Sequence, residues 1–120
     1  MKILIVDDEI WVRELLEEFL TLQGYQVTLA TNGEEALKMV DQNPPDVVLL
    51  DIKMPGISGL EVLSIIKRLD KKIGIIMLSA FGDFDTIQKA LEMGADHFIE
   101  KPFDLNRIAK ILSVWEDVQE

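Results

Sequence analysis

Three kinds of chemically active residue stand where four short apolar runs of this chain end. Asp7 and Asp8 follow KILIV, Asp51 follows DVVLL, Ser79 follows IGIIML and Lys101 follows HFIE. Carboxylates gathered in one place repel one another, and each raises its neighbours' pKa. A hard divalent cation relieves that repulsion, and Mg²⁺ prefers carboxylates, a backbone carbonyl and water. The pattern predicts a Mg²⁺ site, which Mn²⁺ also suits, with no His or Cys ligand.

Each residue alone has a plainer reading. An aspartate after a strand often caps the next helix, as Asp8 could. Asp51 could be a turn former. A lone serine such as Ser79 commonly bonds only local backbone, and a lone lysine such as Lys101 is commonly solvated. His97, beside Phe98 in a short strand, reads as structural or surface rather than as a ligand. The functional reading rests on the joint arrangement, because these residues end four different strands.

The elements that must position them follow from hydrophobic period. Residues 2–6 (KILIV), 46–50 (DVVLL) and 73–78 (IGIIML) are nearly continuous apolar runs, the mark of strands buried on both faces. Residues 25–30 (YQVTLA) alternate and read as nearer an edge, and 97–100 (HFIE) is a short fifth strand. Amphipathic segments lie between them. The first carries Val12, Leu15, Leu16, Phe19 and Leu20 and stops at Gly24, where a C-cap glycine belongs. The second spans about 33–41, with Glu34 and Glu35 in its first turn and Pro44 and Pro45 beyond its end. The third opens on Ser58 and Glu61 at capping-box spacing and is expected to bury Leu63, Ile66 and Leu69. The fourth carries Ile87, Ala90 and Leu91 and ends at Gly94. The fifth starts near Asp104 and carries Ile108, Ile111, Leu112 and Trp115. Strand and helix alternate five times, so right-handed crossovers give an α/β, doubly wound parallel sheet with helices on both faces. Ligands of such sheets sit beyond the C-terminal strand ends.

Composition narrows the partners. At 120 residues the chain suits a single domain, here residues 1–120, and 48% hydrophobic residues suffice for a core. It has no cysteine, so disulfides and thiolate metal sites are excluded. The first residues turn acidic too soon for a signal peptide, and no apolar run nears the roughly 20 residues of a membrane span. A cytoplasmic location without membrane insertion is the expectation. The net charge of −10 disfavours direct nucleic-acid binding and favours cations and basic protein surfaces.

The segments ILIVDDE, PDVVLLDIKMPGISG, IIMLSA and FIEKPF resemble the receiver domain of response regulators along essentially the whole chain. The AFGDFD and EKPFD segments, and the end without an effector domain, resemble the stand-alone type used in sporulation phosphorelays. The resemblance implies a flavodoxin-like sheet of order 2-1-3-4-5. It implies that Asp51 is the phosphoacceptor, and that Asp7, Asp8, Asp51 and the Lys53 backbone carbonyl hold Mg²⁺. It further implies that Ser79 hydrogen-bonds the phosphoryl group, that Lys101 pairs with its charge and that the bond before Pro102 is cis. Phe98 falls at the aromatic switch position, without the hydroxyl of the tyrosine often found there. The implied donor is a phosphohistidine on a sensor histidine kinase or phosphotransfer protein, with acetyl phosphate as a small substitute. Output would pass to a downstream protein by contact or onward transfer, so the chain would be a phosphoacceptor and not an enzyme with turnover.

Ile10, Trp11, Phe81, Pro102 and Phe103 lie near the acidic rim in sequence and are candidates for a docking surface, with Trp11 as anchor. The plainer alternative is that Trp11 folds onto the first helix. Three rival functions are weaker. A haloacid dehalogenase-type phosphatase would carry a second Asp where Lys53 stands. A nucleotide-binding flavodoxin-like protein needs a phosphate cradle where the chain has Asp-Asp-Glu. A phosphate-independent interaction module has no need of crowded carboxylates.

Overall fold

The computed structural model describes residues 1–70, 72–80 and 82–119, the last by its backbone alone. Strands and helices alternate: β1 (Lys2–Val6), α1 (Ile10–Leu22), β2 (Gln26–Ala30), α2 (Gly33–Gln42), β3 (Val47–Asp51), α3 (Gly59–Leu69), β4 (Gly74–Ser79), α4 (Phe84–Glu92), β5 (His97–Glu100) and α5 (Leu105–Gln119). All four strand pairings are parallel, in the order β2-β1-β3-β4-β5. The alternating β2 is an edge strand, and every residue of the continuous apolar β3 and β4 is buried. Both central strands run one residue further than their apolar stretches suggest, because Asp51 and Ser79 still pair in the ladders with Leu78 and Glu100.

The pleat sends successive side chains to opposite faces and so builds two cores. Ile3, Ile5, Val47, Leu49, Ile76 and Leu78 meet Val12, Leu16 and Leu20 of α1 and Ile108 and Leu112 of α5. Leu4, Val6, Val48, Leu50, Ile75 and Met77 meet Ala36 and Val40 of α2, Val62, Leu63 and Ile66 of α3 and Ala90 of α4. Leu69 departs from its expected burial and is 62% exposed. It lies in the last turn of α3, beside a shallow hollow it shares with Val40 and Pro44, because α2 stops at Gln42 and covers no further.

Local signals set the element ends. Asn32 Oδ1 accepts from Glu35 N at 2.8 Å, and Glu35 Oε1 accepts from Thr31 N at 3.1 Å, closing the start of α2. Ser58 Oγ accepts from Glu61 N at 3.2 Å and starts α3. Gly24 follows α1 with φ +94° and Gly94 follows α4 with φ +106°, the left-handed conformation that terminates helices. At the end of the sheet away from the acidic rim, Lys67 Nζ donates to Ile73 O at 2.8 Å and to Asp96 Oδ2 at 3.1 Å. The same carboxylate oxygen accepts from Ile75 N at 2.8 Å. One side-chain pair thus ties α3 to β4 and to the entry of β5.

Gly59 fixes how closely α3 approaches the end of β3. Its N–H donates to Ile52 O at 2.9 Å. A Cβ here would lie 2.7 Å from Ile52 Cα and 2.9 Å from Ile52 O, with the Asp51 carbonyl oxygen closer still. Backbone cannot yield as a flexible side chain would, so overpacking here costs about 1–3 kcal/mol. Gly59→Ala is expected to lower the urea midpoint accordingly with an unchanged m-value, checked by equilibrium denaturation.

Candidate functional site

Asp7 extends β1 by one residue and is fully buried. Its N–H reaches Ala30 O at 3.3 Å, its Oδ1 accepts from Glu9 N at 2.9 Å, and Arg13 Nη1 donates to its carbonyl at 2.8 Å. Asp8 is exposed. It does not cap α1: the N-cap position is Glu9, and no side chain caps that helix start. Asp51 ends β3, is 5% exposed, and its Oδ1 accepts from Lys53 N at 3.3 Å. The three aspartates each present an oxygen within 4.8 Å of the others. Asp8 and Asp51 line a cleft of about 270 Å³ together with Glu9, Lys53, Asp83 and Lys101.

Lys101 faces this charge from the end of β5. Its Nζ lies 3.1 Å from Asp7 Oδ2, 3.1 Å from Glu9 Oε1 and 3.7 Å from Asp51 Oδ2. The Asp7 contact is a charge contact only, since Asp7 Oδ2 has no aligned hydrogen-bond donor among the described residues. Burial raises the Asp51 pKa to about 7, and repulsion from Asp7 adds to it. Burial likewise raises Asp7. Burial alone would lower Lys101, but Asp51, Asp7 and Glu9 outweigh it and hold the ammonium above its ordinary value. Lys101 thus faces two buried carboxylates and Glu9.

A buried carboxylate oxygen without a donor, in an all-oxygen cluster, fits a hard divalent cation. The Lys53 backbone stands beside Asp51, where its N–H reaches the carboxylate. Ser79 is 1% exposed, and its Oγ has no hydrogen-bond partner among the described residues. Phe98 is half-buried and pairs in register with Met77, on the sheet face that also carries Ser79. The Lys101–Pro102 peptide is cis.

The docking candidates are only partly gathered. Ile10 is 62% and Trp11 52% exposed. The Trp11 indole donates to Glu9 Oε2 at 2.7 Å. Phe103 is half-buried against the α1 and α5 core, which leaves it a smaller part of any open surface, whereas Pro102 is exposed. Phe81 lies outside the described residues. His97 is exposed at the start of β5. Sequence reasoning singled out neither Glu9 as a Lys101 partner nor the Lys53–Asp83 ion pair at 3.7 Å. The adjacency of Glu9 to Asp7 and Asp8 was the available signal for the first; nothing local marks the second.

Residues 3–113 match the response regulator receiver domain. The chain belongs to that family. It is therefore a receiver domain, a phosphoacceptor unit of two-component phosphorelay signalling. It is 46% identical over 107 residues to sporulation initiation phosphotransferase F of Bacillus subtilis, covering 89% of this chain and 86% of that protein. It is 48% identical over 102 residues to the probable transcriptional regulator ycf27 of Guillardia theta, where the match covers 85% of this chain but only 40% of the relative. The receiver domain of NtrX from Brucella abortus superposes with a TM-score of 0.90 at 33% identity, covering 94% of this chain and 96% of that one.

The raised Asp51 pKa gives this receiver domain a stability signature. Asp51 binds its proton more tightly folded than unfolded, so folding loses stability as pH rises from about 4 to about 7, where the unfolded chain has already ionised. In chelator, Asp51→Asn is expected to melt several degrees above wild type at about pH 8, with the gain fading toward about pH 4. A divalent cation bound at Asp51 would have to displace that proton, so any upward shift of the melting temperature by Mg²⁺ should be larger at about pH 8 than at about pH 6. Scanning calorimetry across pH, with and without Mg²⁺, measures both.

Proposed function

We propose that residues 1–120 act as one receiver unit that accepts a phosphoryl group on Asp51 in a Mg²⁺-dependent reaction. The donor would be a phosphohistidine of a sensor kinase or phosphotransfer protein. The observation that carries this reading is a nearly buried Asp51 placed between Asp7, Asp8 and Lys101 at an open cleft. Asp7, Asp8, Asp51 and the Lys53 carbonyl would hold the cation. Bound there, it supplies positive charge against the carboxylates and the oxygens of the moving phosphoryl group.

The chain's own residues account for the rest. An Asp51 carboxylate oxygen forms the new P–O bond as the P–N bond of the donor breaks, and the imidazole leaves with that electron pair. Phosphoryl transfer needs mainly positioning and charge stabilisation. Lys53 N–H orients the acceptor carboxylate, and Lys101 draws toward the new dianion. Ser79 Oγ, unpartnered beforehand, gains an acceptor in the phosphoryl oxygens. Its displacement makes room on the face it shares with Phe98, which would carry the change to the α4 and β5 surface as a population shift.

Lys53 stands where a dehalogenase-type phosphatase needs its second acid, so this site would promote only its own phosphorylation and slow hydrolysis. The net charge of −10 favours a basic protein partner over nucleic acid. Exposed Ile10 and Trp11, beside the cleft, suit docking of the donor. No described helix is long and apolar enough to cross a membrane, and a cytoplasmic setting fits a kinase-linked role.

Intact mass spectrometry after incubation with acetyl phosphate and Mg²⁺ is expected to show one added phosphoryl group on wild type and none on Asp51→Asn. Equal labelling of both, or of neither, overturns the assignment. Trp11→Ala should slow transfer from a phosphohistidine protein at least about tenfold without slowing transfer from acetyl phosphate, measured by radiolabel transfer from each donor.

A further inference from the structure

Lys101 is shared before any phosphoryl group arrives, and the sharing is uneven. Asp51, where the phosphoryl group would be attached, is its most distant acidic partner at 3.7 Å. Glu9 holds it at 3.1 Å from the outer rim, where the Glu9 side chain is 44% exposed and that of Asp51 only 8%. Glu9 belongs to no cation-binding cluster among the described residues, whereas Asp7 and Asp51 do. It therefore keeps its hold on the ammonium when those two are engaged elsewhere. Glu9 is itself fixed: Trp11 Nε1 donates to Oε2 at 2.7 Å while Oε1 faces Lys101. The carboxylate is clamped between an indole on the exposed face of α1 and the ammonium at the end of β5.

We propose that Glu9, oriented by Trp11, is a positioning residue that competes with the phosphoryl group for Lys101 and so restrains phosphorylation of this site. The inference rests on the reading of Asp51 as acceptor and Lys101 as its countercharge. A phosphoryl group on Asp51 would draw the ammonium from Glu9, and the outer contact opposes that draw. Glu9→Gln removes the charge and keeps the shape. Trp11→Phe keeps a ring and removes only the N–H that orients Glu9.

The test measures two quantities on wild type, Glu9→Gln, Trp11→Phe and the double variant. One is the rate of phosphorylation by acetyl phosphate with Mg²⁺, and the other is the equilibrium affinity for fluoroberyllate, a phosphoryl mimic. Glu9→Gln is expected to raise both about threefold, the scale of a partly exposed ion pair. Trp11→Phe should raise both by less, and the double variant should match Glu9→Gln, since the indole acts only through the carboxylate. About 1 M salt should erase the differences. Unchanged or weakened fluoroberyllate binding in Glu9→Gln, or a Trp11→Phe effect that adds fully to it, overturns the proposal. If wild type neither takes the phosphoryl group nor binds fluoroberyllate, the reading of Asp51 fails instead; if wild type does both and Glu9→Gln matches it, only the role of Glu9 falls.

Discussion

Charge crowding at the C-terminal rim of the sheet is the constraint on which the molecule depends. Asp7 and Asp51 are buried, yet their nearest positive charge is one shared ammonium. Burial of like charges is costly, and the raised pKa of both carboxylates expresses that cost. The fold keeps them there because Asp7 follows and Asp51 ends central strands whose other residues form the core. Function is thus purchased with local instability, offset by two well-packed layers of aliphatic side chains.

The same pleat divides the labour of the site. Asp7 and Asp51 continue the rows of Ile5 and Leu49, on the side of α1 and α5, whereas Ser79 continues the row of Met77 on the side of α3 and α4. The two buried aspartates therefore stand with the helix that bears Trp11. Ser79, with its unpartnered hydroxyl, stands with the half-buried Phe98. Two neighbouring groups at the rim thus face two different surfaces of the protein.

Most of this frame was legible in the residues. Continuous apolar runs marked β1, β3 and β4, and the alternation in β2 marked an edge. The aspartates, serine and lysine at strand ends marked the rim, because period-2 and period-3.6 patterns are local properties that the chain carries everywhere. What was not legible depends on distance through space. The reach of Lys101 to Glu9 spans 92 positions in sequence. The Arg13 bond to the Asp7 carbonyl depends on how α1 lies across β1. Leu69 had the spacing of a core residue, yet the neighbouring helix ends too early to cover it. The partial burial of Phe103 follows from the packing of α5, which no local pattern encodes.

The bonds of Lys67 and Asp96 lie at the far end of the sheet from the cleft. They join α3, β4 and the entry of β5. A book is held in this way at its spine: the pages spread only at the free edge. The proposed displacement of Ser79 would then open the β4 and β5 rim while the base stays in register, acting as leverage rather than spreading through the whole fold.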